Sequence, residues 1–372
     1  MNQPTSRRPF TYVMKNRTYW IFVALLLVLA IFIRIFSMDA ARVEAFYSTG
    51  IYPHIGVALR YLLAWLPISF GDLLYGYVVV WLIWKLVAAI RKLVKGQLTA
   101  GRVHLFFKRA LVKILLIYIC FNLLWGINYN RKGIATQIGL SMESYTVSDV
   151  KALNTVLVEK VNASRKALID EPIKELRNRD IFDRAHSAYS EAKRRYSFLQ
   201  YQPSSIKTSM WGWLGNYLGF LGYYNPFTGE AQVNTSVPKF SQPYTTCHEI
   251  AHQLGYAKEN EANFVGYLAA SSSTDTAFHY SVYLDLFLYA ERNLYKADTA
   301  AAKGFLNQLL PEVKSDIKEW QKFHNRHKNP AEPVIRWLYG KYLESNQQPS
   351  GVLSYDEVTG FMISYYKKHG KL

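Results

Sequence analysis

The chain has 372 residues, half of them apolar and 15% aromatic, which excludes a largely disordered protein, and its two cysteines exclude a disulfide framework. A formal net charge of +17 points first to nucleic acid, but residues 1–131 hold 16 Lys and Arg against 3 Asp and Glu, whereas residues 132–372 hold 28 against 24. Basicity confined to an apolar third belongs to the flanks of membrane spans, and no nucleic-acid partner is expected.

The first element is the apolar run Tyr19 to Met38, interrupted only by Arg34. It has the roughly 20 residues a bilayer requires and no small-residue cleavage site after it, so it reads as an uncleaved span. Leu73 to Ile90, broken by Lys85, is a second span, and Ala110 to Tyr129 a third. Between the first two, residues 55–70 are apolar but short and contain Arg60 and Pro67, and they read as interfacial or re-entrant. Charge decides the count. Arg7, Arg8, Lys15 and Arg17 precede the first span without an acid, and Arg91 to Lys113 hold seven cations without one. The positive-inside rule puts both segments in the cytoplasm, which three spans satisfy and four do not. The reading is therefore a membrane anchor over 1–131 and a globular domain over 132–372 outside the cytoplasm.

The globular part reads as mainly α. Residues 146–200 place Val147, Val150, Leu153, Leu157 and Val161 on one helical face, with breaks at Glu171-Pro172 and Gln202-Pro203. Residues 204–243 carry loop and strand punctuation, with one strand over Glu230 to Val237. The aromatic stretch Trp211 to Tyr224 reads as cover for the core, with contact to the bilayer surface or an apolar substrate groove as the alternative. Helices are expected at 246–255, 259–272, 278–295, 299–328, 331–345 and 354–368.

The chemistry sits at His248-Glu249-Ile250-Ala251-His252, an HExxH motif. Helix positions four apart share a face, so both imidazoles can address one zinc ion. Glu249 can take a proton from a metal-activated water as general base. Gly255 can end the helix in a left-handed turn. A third ligand is needed, and Glu259 and Glu261 cannot both supply it. Glu259 has Ala262 and Asn263 on its own face, a small residue and an amide able to orient a ligating histidine, whereas Glu261 has Phe264 and Val265, which read as packing. Glu259 is therefore favoured. Tyr280 and Tyr283 are candidate donors to a developing oxyanion, and Gly229 to Asn234 is the candidate edge strand for a peptide substrate. Cys247 reads as a buried structural thiol.

The run resembles the gluzincin branch of zinc metallopeptidases, in which HExxH is followed by a Glu-bearing helix; here Glu259 to Asn263 reads ExxAN, with Asn where Asp is common. The resemblance implies His248, His252 and Glu259 as ligands of one zinc ion and Glu249 as general base. Through Tyr223 to Glu230 and Cys247 to Leu268 the chain also looks like an uncharacterised bacterial family that pairs N-terminal spans with an extracytoplasmic zincin-like domain. The expectation is a multi-pass protein of the bacterial plasma membrane. Its mostly helical zincin-like domain, with a small strand region, would hydrolyse peptide bonds of a protein or peptide substrate outside the cytoplasm. The alternative is a non-catalytic, zinc-stabilised binding or scaffold module of the cell envelope.

Overall fold

In the N-terminal third, apolar sequence becomes long helices with exposed apolar sides. α1 (Asn16–Phe36), α3 (Phe70–Val94) and α4 (Ala100–Leu124) flank the shorter α2 (Tyr52–Leu63). The computed structural model describes residues 16–97, 99–168, 173–346 and 354–372, with the side chains of 354–356 excepted. The basic flank Arg7, Arg8 and Lys15 and the Glu171-Pro172 break lie outside those residues. Among the described residues, α1 and α3 are the two helices long and apolar enough to cross a membrane, with mean hydropathy 2.6 and 2.0. α4 matches the third expected span in place but not in extent. Its stretch up to residue 113 carries Arg102, Lys108, Arg109 and Lys113, and the chain leaves the helix at Trp125 instead of running on to Tyr129.

These helices alternate in direction, and one set of ends meets the rest of the protein. Arg34 and Ser37, at the end of α1, line a shallow cavity with Tyr129, Arg131 and Lys258. The start of α3 is capped by Glu230, which accepts from the N–H groups of Phe70 (3.1 Å) and Gly71 (2.6 Å). After α4, the Trp125 indole donates to the His252 carbonyl at 3.1 Å. At the far end, Lys108 of α4 donates to the Asn16 side chain of α1 at 2.7 Å.

Residues 52–63 pack on the globular part. Arg60 is 3% exposed and donates to the carbonyls of Gln202, Pro203 and Gln253 at 3.1–3.3 Å. A guanidinium anchored on three backbone acceptors holds α2 against the protein, which a reading of 55–70 from hydropathy alone does not foresee. The contacts of Arg60 and Trp125 also cross the division expected at residue 131.

The longer helices that follow are α5 (Val147–Ala167), α6 (Asn178–Arg195), α7 (Gln242–Gln253), α8 (Glu259–Ser272), α9 (Thr276–Ala297), α10 (Thr299–Gln308), α11 (Pro311–His327), α12 (Glu332–Ser345) and α13 (Ser354–His369). A Thr146/Asp149 capping box starts α5. The single helix expected over 299–328 is two. Pro311 opens the second, and the Asn162 amide bridges the break, donating to Gln308 and accepting from the Leu310 N–H, both at 3.0 Å. The main core is shared by α5 to α9 and α13, with Tyr189, Phe264, Tyr267, Phe278 and Phe287 fully buried in it.

Three short strands, β1 (Ile206–Thr208), β2 (Gly222–Asn225) and β3 (Glu230–Val233), form a sheet in the order β1-β3-β2. β3 pairs parallel with β1 (Ile206 opposite Ala231) and antiparallel with β2 (Tyr223 opposite Gln232). The segment Gly229 to Asn234, expected to be the substrate-receiving edge, is therefore the centre of the sheet. Both its hydrogen-bonding sides are taken, and the edge beside the candidate site is β2.

Candidate metal centre

α7 starts at Gln242, four residues before its expected start, because Pro243 is tolerated in a first turn, where its missing N–H would have no helical partner. It ends as its sequence dictates. Gly255 takes φ +88°, its N–H reaches the His252 carbonyl (3.0 Å), and the Tyr256 N–H reaches the Ala251 carbonyl (3.1 Å), the paired bonds of a Schellman turn. That turn brings the Tyr256 carbonyl 2.7 Å from His252 Nδ1. With Nδ1–H donating there, Nε2 keeps its lone pair for a metal. An added Cβ at Gly255 would lie 2.8 Å from the Tyr52 ring, so glycine is required by space as well as by φ.

α8 presents Glu259, Asn263 and Gly266 to α7, a stripe at i, i+4 and i+7. At Gly266 an added Cβ would sit 3.1 Å from the His248 backbone nitrogen, so the small residue sets how closely the helices approach. The approach carries Glu259 to the histidines. His248 Nε2 lies 3.3 Å from Glu259 Oε2, and His252 Nε2 lies 3.8 Å from Glu259 Oε1. One donor atom from each of His248, His252 and Glu259 falls within 4.8 Å of the others. Glu261 points elsewhere, to Lys258 (3.8 Å) and against Gly133, whose backbone it touches where a side chain would be.

These donors fit zinc. Ligands at 2.0–2.1 Å in a tetrahedron stand about 3.3 Å apart; the two Glu259 spacings of 3.3 and 3.8 Å are close to this, and no pair in the group is more than 4.8 Å apart. Among the described residues the group has three members, which leaves a fourth coordination position for solvent or substrate. Asn263 stands where the sequence reading wanted an orienting amide. Its side chain supports the charged form of His248.

The electrostatics follow from burial and proximity. Burial is the largest single influence and opposes charge on both His248 and Glu259, but their mutual hydrogen bond together with the neighbouring charges and hydrogen bonds outweighs it, holding the imidazole pKa up and the carboxyl pKa down. Burial and the neighbouring His248 push His252 down to about 4. Glu249 is 3% exposed, and burial pushes it up to about 8. Its Oε2 is buried without a hydrogen-bond partner. Burial makes the ionised carboxylate a stronger base than an exposed one, suited to taking a proton from attacking water.

The surroundings include residues that no sequence motif marks. Glu249 lies against β2, since a Cβ on Gly222 would meet its Oε1 at 2.6 Å. The Tyr339 hydroxyl, on α12, donates to Glu259 Oε1 at 2.8 Å. The Trp125 and His252 rings meet edge to face with centroids 6.0 Å apart. Asp285 of α9 feels the charge of His248 from the far side, and burial raises it to about 6. The two tyrosines expected as oxyanion donors are not brought to the cluster. Tyr280 donates to Asp316 at 2.6 Å on the side of α9 that packs on α5 and α11, and Tyr283 lies against Lys160 and His279. Ser281 and Asp285 face α7 instead, because Tyr280 and Tyr283 are turned roughly 100° or more from that line. Cys247 is buried, and burial raises its thiol far above the ordinary value.

Residues 47–363 match the model of the family described as protein of unknown function DUF3810, and the chain belongs to that family. No curated protein and no solved structure matches it.

Proposed function

We propose that the chain is a membrane-anchored, zinc-dependent peptidase whose globular part lies outside the cytoplasm. One observation carries the reading: three donors of the right chemistry converge from two helices beside a buried carboxylate with an unpartnered oxygen. His248, His252 and Glu259 would hold the ion. Zinc supplies a Lewis acid that acidifies water and polarises the scissile carbonyl. Glu249 takes the water proton at Oε2 and returns it to the leaving amine. The Tyr256 carbonyl holds His252 in its ligating tautomer, and Tyr339 holds the Glu259 carboxylate in place. The edge of β2, next to Glu249, is where an extended peptide could add as a fourth strand.

The orientation rests on charge and helix direction together. α1 and α4 run toward the globular part and α3 runs away from it, and the ends that face away carry the clustered cations. With the cations in the cytoplasm, the zinc centre emerges on the opposite side of a three-span anchor.

The test uses the full chain in detergent, loaded with zinc. Metal analysis should give one zinc per chain, and Glu249→Gln should keep the metal while cutting peptide hydrolysis by at least about a hundredfold. A Glu249→Gln protein as active as the parent, or a chain that retains no zinc, rejects the reading.

A further inference from the structure

We propose that the polypeptide this centre cleaves is presented by the bilayer itself, as the segment of a membrane-anchored protein adjoining its own span. This rests on the peptidase reading and adds where the substrate comes from.

The walls of the centre are the ends of the spans. Trp125, which ends α4, touches His252 by both backbone bond and ring. Tyr223, on the free edge strand beside Glu249, bonds to the Asp72 carboxylate and stacks on Tyr75, both in the first turns of α3. The Trp211 ring lies on α3 at Gly76, where an added Cβ would be 2.9 Å away. Gly76 is six residues, about 9 Å, along the helix, within the stretch read as membrane-spanning. The loop and strand that flank the site therefore sit at the depth of the bilayer boundary.

The surface around them is apolar and exposed. Trp65, in the connection into α3, is 75% exposed, and Trp213, two residues after Trp211, is 59% exposed. The roof of the centre, α12, has two distinct faces. Its inner face holds Tyr339 on Glu259, with Tyr342 3.1 Å from the Tyr129 hydroxyl. Its outer face shows Val334, Trp337 and Leu338, each more than half exposed, beside the exposed Arg336 and Lys341, which pair with Glu332 (3.9 Å) and Glu344 (2.6 Å) on the same helix. Tryptophan and leucine on one face with flanking cations form the pattern of a helix lying in a membrane interface. The Asn329 amide donates to the Tyr217 carbonyl at 2.7 Å, which joins the start of this roof to the short helix Gly212–Leu218 that bears Trp213. The apolar surface is thus continuous with the span ends, and the bilayer is its occupant.

Access then favours a substrate already in the membrane. The ligand side chains are only 8–14% exposed beneath the roof, so substrate reaches them from beside α12 and the β2 edge. A peptide tethered by its own span is confined to that plane at a high effective concentration. A free peptide is not.

The experiment reconstitutes the zinc-loaded full chain in phosphatidylcholine vesicles. A randomised quenched-fluorescence peptide pool is offered either free or fused to a single polyleucine span. The anchored form should be cleaved at least about tenfold faster, and Trp337→Ser with Leu338→Ser should shrink that ratio. Equal rates on both forms overturn this proposal and leave the peptidase reading standing. Zinc-loaded protein that cleaves neither form any better than Glu249→Gln ends both. A readout without turnover is the depth of α12: Leu338→Cys in a Cys120→Ser background, labelled with a fluorophore, should be quenched by nitroxide lipids. A label quenched only by aqueous agents overturns the proposal.

Discussion

Glu230 offers the clearest energetic test of how the anchor is joined to the rest of the protein. Its carboxylate is fully buried, and its two oxygens take the N–H groups of Phe70 and Gly71, while Ser69 Oγ takes that of Asp72 at 3.0 Å. The first three donors of α3, which no helix can satisfy internally, are thus all met by protein. Glu230→Ala removes two charge-assisted bonds and leaves the buried Gly71 N–H and the part-buried Phe70 N–H without acceptors. At about 1.5–3 kcal/mol each, the loss should be about 3–6 kcal/mol. Glu230→Gln keeps the shape and one acceptor oxygen, and should cost about 1–2 kcal/mol. The assay is urea unfolding of the detergent-solubilised chain followed by tryptophan fluorescence, read as the shift in midpoint at constant slope. An alanine variant within about 0.5 kcal/mol of the parent, or a glutamine variant as damaged as the alanine one, would refute the reasoning, since surface substitutions commonly stay within that range.

Tyr339→Phe should weaken zinc binding by about 10–100-fold, measured by chelator competition, because it removes the hydroxyl that orients Glu259. Glu259→Gln should abolish stoichiometric zinc while Glu261→Gln retains it, by elemental analysis; the reverse pattern would mean the wrong carboxylate has been chosen. Gly255→Ala places a side chain at φ +88° against Tyr52 and should destabilise the chain by at least about 1–2 kcal/mol in thermal or urea unfolding. Residues 132–372 expressed alone should bind zinc poorly and aggregate, because they lack Trp125, Arg60 and Arg131; a monodisperse, zinc-replete fragment would contradict the packing described above.

What the sequence disclosed was whatever local periodicity encodes. Two histidines at i and i+4 must share a helical face, Gly255 can take the left-handed turn, and the neighbours of Glu259 at +3 and +4 separate it from Glu261. What it concealed depends on which elements become neighbours. A strand over 230–237 was legible, and it ends at Val233, but its place in the middle of the sheet was not, because strand order is a long-range property. Tyr280 and Tyr283 were attractive for their closeness in sequence to the motif, yet helix phase turns them toward α5. The tyrosine that does reach the cluster, Tyr339, lies 80 residues beyond Glu259 with no motif to announce it. Hydropathy likewise marked residues 55–70 as apolar without showing that Arg60 would find three carbonyls, two in the connection before β1 and one at the end of α7.

The position of the cluster explains why anchor and globular part are hard to separate. A second, smaller core gathers Leu26 and Ile33 of α1, Tyr47, Tyr52, Trp125 and Tyr129 with Tyr224 and Ala257. His252 stands where this core meets the larger one: its carbonyl accepts from Trp125 on one side, and its imidazole meets the turn closing α7 on the other. Arg131 ties the same turn to the anchor, pairing with Glu44 at 2.6 Å and donating to the Gly255 carbonyl at 3.3 Å. Movement of the span ends relative to the globular part would therefore be transmitted first to the turn that fixes the His252 tautomer. On the proposed reading, metal ligation and membrane packing would be coupled through that one turn, so a perturbation of either should be visible in the other.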